Sequence, residues 1–193
     1  MDDVAARPVN AHAWEREEDD WYQEPRWCSE RLFEEEPFEE DVWDPACGGG
    51  NIARSAFAFG HRTLASDLVD RGYPLMWRRR FDFLNEPVEG VVDNIVTNPP
   101  FKIAKPFALK ALSLVRFKVA IIFPVARLNA AHWAMAAPLR RVWLLTPRPS
   151  MPPGQVIEGG EKPGGGKVDF CWLVFERGYQ GAPALRWLKR DKA

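Results

Sequence analysis

Val42-Trp43-Asp44-Pro45-Ala46-Cys47-Gly48-Gly49-Gly50 carries the deciding pattern of this chain: a short, partly apolar run, a carboxylate, then three glycines. The run suits a buried strand. Asn51 to Phe59 follows with Ile52, Ala53, Ala56, Phe57 and Phe59 at helical spacing, which predicts a helix opening out of the glycine turn. A strand, a glycine turn and a helix start form a nucleotide cradle. Glycines let the backbone come close to a ligand, and the first amides of a helix favour electron-rich groups. Gly48, Gly50 and Ala53 also satisfy the alanine-ended dinucleotide fingerprint, so a nicotinamide-dependent dehydrogenase is one reading of this stretch taken alone.

Further along the chain, carboxylates close successive apolar runs. Asp44 ends the first, where it can face a ligand's ammonium group or cap its own turn. Arg62 to Ser66 reads as a second strand ending at Asp67, which can accept from two ribose hydroxyls or cap the next segment. Asp82, in Phe81-Asp82-Phe83-Leu84, stands at the expected third strand, either to accept from an adenine amine or as a solvated turn residue. Asp93 to Thr97 is a fourth run, and it leads into Asn98-Pro99-Pro100-Phe101.

That tetrapeptide makes a specific chemical offer. An aromatic amine is a poor nucleophile because its lone pair is delocalised into the ring. Two acceptors, the Asn98 side-chain oxygen and the Pro99 carbonyl, can grip its hydrogens and favour a tetrahedral nitrogen aimed at a sulfonium methyl. The prolines Pro99 and Pro100 fix the backbone and donate no competing hydrogen bond. Phe101 offers a face on which an extruded base can stack. No strong base is required, so catalysis would consist of positioning and electrostatics. Together the two motifs predict methyl transfer from S-adenosylmethionine to the exocyclic amine of a base.

On these motifs the chain resembles the amino-methyltransferases of DNA, in the class whose cofactor motif precedes the catalytic motif, and most of all the small adenine-specific enzymes of phages and prophages. The resemblance runs from about Trp21 to Leu188. It implies an α/β, Rossmann-like fold with a seven-stranded, mostly parallel sheet, one antiparallel strand near an edge, and helices on both faces. It also implies that Asp44, Gly48 and Gly50 hold the methionine end of S-adenosylmethionine, with Ala46 also at the cofactor. Asp67 would take the ribose, Leu68 would pack on the cofactor's adenine, and Asp82 with Phe83 would read its edge. Asn98, Pro99, Pro100 and Phe101 would form the clamp, with Asn98 also beside the cofactor. The family's Tyr-x-Thr-Pro, which contacts the cofactor, corresponds here to Tyr22-Gln23-Glu24-Pro25; Tyr22 and Pro25 match, and Glu24 replaces the threonine.

With 193 residues the chain is expected to form one domain over 21–193 behind an acidic, unstructured tail over 1–20. Trp27 to Glu36 predicts a helix. Residues 1–41 hold 15 acids against 4 bases and the remainder 22 bases against 12 acids, so a basic body suited to phosphates stands behind a net charge of −1. Lys102, Lys105, Arg127, Asn129 and Arg148 are expected at the substrate side, and 147–167 as a long loop, either a substrate-recognition lid or a plain hairpin connection. Arg78-Arg79-Arg80 is expected at the opposite end of the sheet. Val119 to Val125, Val142 to Leu145 and Phe170 to Phe175 complete the expected strands.

Cys28, Cys47 and Cys171 are few and unpatterned, His12, His61 and His132 are scattered, and no metal is expected. No apolar stretch reaches membrane-spanning length and the start is not a signal peptide, so a cytoplasmic location in a bacterial or phage-infected cell is expected. DNA is the expected partner, with RNA as the alternative. A protein glutamine amide and a catalytically silent nucleic-acid-binding relative are the further readings. Lacking a separate target-recognition module, the chain would take its specificity from the 147–167 loop or from homodimerisation.

Overall fold

The computed structural model describes residues 21–152 and 166–191. The expected acidic tail and most of the expected recognition loop lie outside them. The described residues form one eight-stranded sheet with helices on both faces. In chain order the elements are α1 (Arg26–Glu35), β1 (Asp41–Asp44), α2 (Asn51–Ala58), β2 (Arg62–Asp67), β3 (Arg78–Arg79), β4 (Val92–Thr97), α3 (Ala104–Leu114), β5 (Val115–Pro124), β6 (Leu139–Thr146), β7 (Phe170–Glu176) and β8 (Ala184–Lys189). Across the sheet the order is β3-β2-β1-β4-β5-β7-β6-β8. Only β7 runs against its neighbours, β5 and β6. This is the doubly wound, Rossmann-like arrangement, whose strand order reverses beside β1.

Alternation along the central strands builds two apolar layers. Val119, Ile121 and Phe123 of β5 face α3 and the 3-10 turns after β5, whereas Ala120 and Ile122 face α1 and α2. This is the period-two consequence of a strand covered on both sides. α1 is bound to its layer by polar contacts as well. Ser29 Oγ donates to Ser55 Oγ of α2 at 2.9 Å, and Trp172 Nε1 donates to the Cys28 carbonyl at 3.0 Å. Just past α1, the fully buried Glu36 carboxylate accepts from Lys118 Nζ at 2.7 Å, from Arg141 Nη1 at 2.8 Å and from Trp143 Nε1 at 3.1 Å.

The sheet corrects two expectations. It has eight strands rather than seven: β8 pairs in parallel with β6, and only Leu188 of it is buried, so its sequence carries little apolar signal. The arginine triplet also lies elsewhere than expected. Arg78 and Arg79 themselves form β3, and Arg79 pairs with Asp67, the last residue of β2. The triplet is therefore level with the carboxyl end of the sheet. No helix forms between β2 and β3, and the backbone of β2 sets this register, because two exposed arginines have no apolar pattern of their own.

Glu36→Gln tests the buried cluster. Leaving Lys118 and Arg141 without their carboxylate should cost about 3 kcal/mol in denaturant unfolding, seen as a lower midpoint at unchanged slope.

Candidate active site

Parallel pairing of β1 with β4, with Val42 opposite Asn94 and Trp43 opposite Ile95, brings the ends of the two decisive motifs together. Thr97 Oγ1 donates to Asp44 Oδ1 at 2.8 Å, and the Ala46 amide donates to the same oxygen at 3.3 Å. Asp44 is fully buried, and burial pushes its carboxyl well above the usual range against these hydrogen bonds; the neighbouring charges of Glu24 and Asp67 push the same way.

The glycine turn runs from the end of β1 into α2. Asp67, at the end of the adjacent β2, accepts from the Gly48 amide at 2.7 Å with one oxygen and from the Val69 amide at 2.9 Å with the other. It thus anchors the turn, and burial raises its carboxyl as well. Gly48 and Gly50 hold left-handed φ values of +49° and +83°. A Cβ on Gly48 would lie 2.7 Å from Trp21 Nε1, and one on Gly50 would lie 2.4 Å from the Tyr73 ring. Only glycine fits this cradle.

The cleft beside it, about 460 Å³ counted out to its mouth, is walled by Trp21, Tyr22, Gln23, Glu24, the glycine turn, Asp67, Arg71, Asn98 and Pro100. The segment from Trp21 to Pro25 closes one side, and the Arg71 guanidinium lies 3.9 Å from the Trp21 ring centre. Its charged walls are mostly carboxylates, and the glycine turn lies open to a ligand backbone. These residues fit an adenosine cofactor whose methionine end carries an ammonium group.

Across the cleft stands the Asn98 amide. Its Nδ2 donates to the Tyr22 carbonyl at 2.7 Å and to Glu24 Oε2 at 2.9 Å, and no described residue donates to its Oδ1. The Pro100 carbonyl takes the Ile103 amide at 3.0 Å, whereas no described donor reaches the Pro99 carbonyl. The Phe101 ring lies nearly parallel to Tyr22, with centres 6.5 Å apart, and is tilted against Phe170 at 5.7 Å. Glu24 is buried, and burial raises its carboxyl from 4.5 to about 7 against the hydrogen bond from Asn98.

Other expected residues fall at varied places. Leu68 is 60 % exposed, beside the cleft wall formed by Asp67. Asp82 stands after β3 in a turn that its own carboxylate caps, accepting from the Leu84 and Asn85 amides and from Asn85 Nδ2. Phe83 is buried against Trp43 and Phe107 in the core. Pro25 precedes α1, and its carbonyl accepts the Cys28 amide. Lys102 and Lys105 are exposed at the start of the α3 region, and Arg127 and Asn129 are exposed in the turn after β5. Arg148, also exposed, pairs with Asp169 at 2.6 Å. Cys47 is buried, and its thiol is pushed far up by burial beside Asp44 and Asp67, which suits a packing residue rather than a nucleophile. Among the described residues no His, Cys, Asp or Glu group could hold a metal ion, and no helix is long and apolar enough to cross a membrane.

Sequence reasoning did not place Gln23, Arg71, Tyr73 or Thr97 in this site. Gln23 packs where a Gly49 side chain would stand, and Tyr73 packs where one from Gly50 would. Both contacts join segments distant in the chain, so no local spacing signals them.

No family model and no curated protein matches the sequence. Among solved structures, the chain is similar to the methyltransferase subunit of a type I restriction-modification system from Streptococcus thermophilus (TM-score 0.59, 11% identity, covering 87% of this chain and 47% of that one). It is similar to a TehB-like S-adenosylmethionine-dependent methyltransferase from Corynebacterium glutamicum (TM-score 0.51, 17% identity, 77% and 86%). A candidate RNA methyltransferase from Pyrococcus horikoshii is similar too (TM-score 0.54, 14% identity, 71% and 74%). The chain spans about half the length of the restriction-modification subunit. At these identities the likeness establishes the shared Rossmann-like fold.

The raised Glu24 carboxyl gives a test of this geometry. The folded chain favours the protonated acid, so Glu24's contribution to stability is fully present below pH 4.5 and is lost as pH rises through about 7. Glu24→Gln, neutral throughout, should melt several degrees above the parent at pH ~8, a difference of at most ~3 kcal/mol, and close to it at pH ~4. Parallel melting curves across that range would remove Glu24 from the buried position.

Proposed function

We propose that this chain transfers a methyl group from S-adenosylmethionine to the N6 exocyclic amine of adenine in DNA. The observation that carries the reading is the state of the clamp. Both hydrogens of the Asn98 amide are taken by Tyr22 and Glu24 beside the glycine cleft, while no donor among the described residues reaches Asn98 Oδ1 or the Pro99 carbonyl. Two acceptors of this kind suit the two hydrogens of an aromatic amine. The fold shared with methyltransferases, one of them described as S-adenosylmethionine-dependent, supports the donor.

S-adenosylmethionine, when bound, supplies a methyl group activated on a sulfonium. The chain's own part is to hold and orient. Asp44 and the amides of the glycine turn would face the methionine end, and Asp67, whose oxygens each retain a lone pair, would take the ribose hydroxyls. Leu68, exposed beside Asp67, would cover the cofactor's adenine. Asn98 Oδ1 and the Pro99 carbonyl would accept the amine hydrogens and turn its lone pair toward the methyl, with Phe101 against the extruded base. Attack by the nitrogen would break the sulfur–methyl bond, with the sulfur leaving as a neutral thioether, and the proton thereby made acidic on the nitrogen would leave to water without a strong protein base. Lys102, Lys105, Arg127, Asn129 and Arg148 would meet the phosphate backbone.

Labelled methyl donor offered separately to duplex DNA, single-stranded DNA, RNA and protein, with the product digested and identified by mass, tests the proposal. N6-methyladenine in DNA is the expected product. The same base in RNA alone would transfer the reading to RNA, and a methylated glutamine would transfer it to protein. Asn98→Ala should abolish transfer with donor affinity nearly intact, and Asp67→Ala should weaken donor affinity more than saturated turnover. Replacing Lys102 or Lys105 by Ala should weaken DNA binding and reduce its salt slope by about one.

A further inference from the structure

We infer that Glu24 is a positioning residue of the clamp: with the Tyr22 carbonyl it takes both hydrogens of the Asn98 amide and so turns Asn98 Oδ1 toward the amine. The inference rests on the amine-methylation reading. It concerns a residue at which the chain departs from the threonine expected there, and nothing in the Asn98-Pro99-Pro100-Phe101 motif accounts for it.

A side-chain amide presents an acceptor and a donor of nearly the same shape. Rotated by half a turn, Asn98 would offer N–H groups to an amine that needs an acceptor, and the clamp would repel its substrate. Something has to choose between the two orientations. Two acceptors aimed at one end of the amide make that choice, because the reversed amide would set its oxygen against a carbonyl and a carboxylate. Glu24 is itself firmly placed. Its backbone carbonyl accepts from Asn51 Nδ2 at 2.8 Å at the start of α2, and Pro25 joins it directly to α1.

The surroundings of Glu24 give the device a pH dependence. Asp67 at the end of β2, Cys47 from the glycine turn and Arg71 from the loop after β2 line the cleft with Glu24, and the buried Asp44 at the end of β1 and Cys28 of α1 lie close enough to feel its charge. Burial raises Glu24 to about 7. Deprotonated, both its oxygens accept; protonated, one becomes a donor that the Asn98 N–H cannot use. Clamp order therefore improves as pH rises through this value, whereas stability falls.

The experiment compares the full chain with Glu24→Ala and Glu24→Gln in three readouts. These are S-adenosylmethionine affinity by calorimetry, turnover and KM on DNA against pH, and the nitrogen-15 spectrum of the Asn98 side-chain amide without substrate. Glu24→Ala should lose about tenfold or more in turnover with donor affinity changed by less than about threefold. Glu24→Gln, whose carbonyl can accept the same hydrogen, should recover most of that loss and abolish the pH limb near 7. In the parent, the Asn98 amide signal should follow that titration; in Glu24→Gln it should not.

Full turnover in Glu24→Ala, or a loss confined to donor affinity, overturns the inference. So does an Asn98 signal indifferent to Glu24, whatever the activity. A parent chain that methylates nothing, yet shows the titrating amide signal, would keep Glu24 as the holder of Asn98 and overturn the proposed reaction instead.

Discussion

The hydrogen bond from Thr97 to Asp44 joins the two halves of the candidate site. The donor stands just before the Asn98 motif and the acceptor just before the glycine turn, at adjacent strand ends of the parallel sheet. Neither end could shift by a residue without turning its side chains to the other face of the sheet. The β1–β4 pairing therefore does more than build a core. It sets the distance between the glycine turn and two acceptors that no described donor reaches, and the proposed chemistry depends on that adjacency.

Around this seam the molecule concentrates carboxylates that would be unfavourable elsewhere. Glu24, Asp44 and Asp67 are all buried, and burial raises all three. Their hydrogen bonds show what each does. Asp44 ties the two motifs, Asp67 anchors the glycine turn, and Glu24 orients Asn98. Of the three, Glu24 and Asp67 line the cleft, with Arg71 opposite in charge, and Asp44 lies buried behind it. Glu36 shows the other solution to a buried carboxylate: it is surrounded by Lys118, Arg141 and Trp143, and it pins the end of α1 to the sheet.

Much of this was legible from residues in order. β1, β4 and β7 are apolar runs covered on both faces, and the α2 periodicity follows the glycines directly. What escaped notice was short or exposed. β3 consists of two arginines recruited by the backbone of β2, and β8 shows the core only Leu188. Asp82 and Phe83 lie next to each other in sequence, but one caps its own turn at the surface and the other fills the core between Trp43 and Phe107. The segment Trp21–Pro25 could be matched to a motif, but its contacts with Gly48, Gly49 and Asn98 bring together segments that are far apart along the chain.

The sequence by itself determined the central strands, the glycine turn and the helix that follows it, and its family resemblance implied the Rossmann-like architecture, because strand periodicity, glycine conformation and the donor-free geometry of proline are local properties. Tertiary structure alone decided which face of the Asn98 amide is open, that the arginine triplet stands level with the Asp67 end of the sheet, and that Glu24 belongs to the site. Those outcomes depend on register between strands and on burial. Both arise only when distant segments pack together and water is excluded from between them.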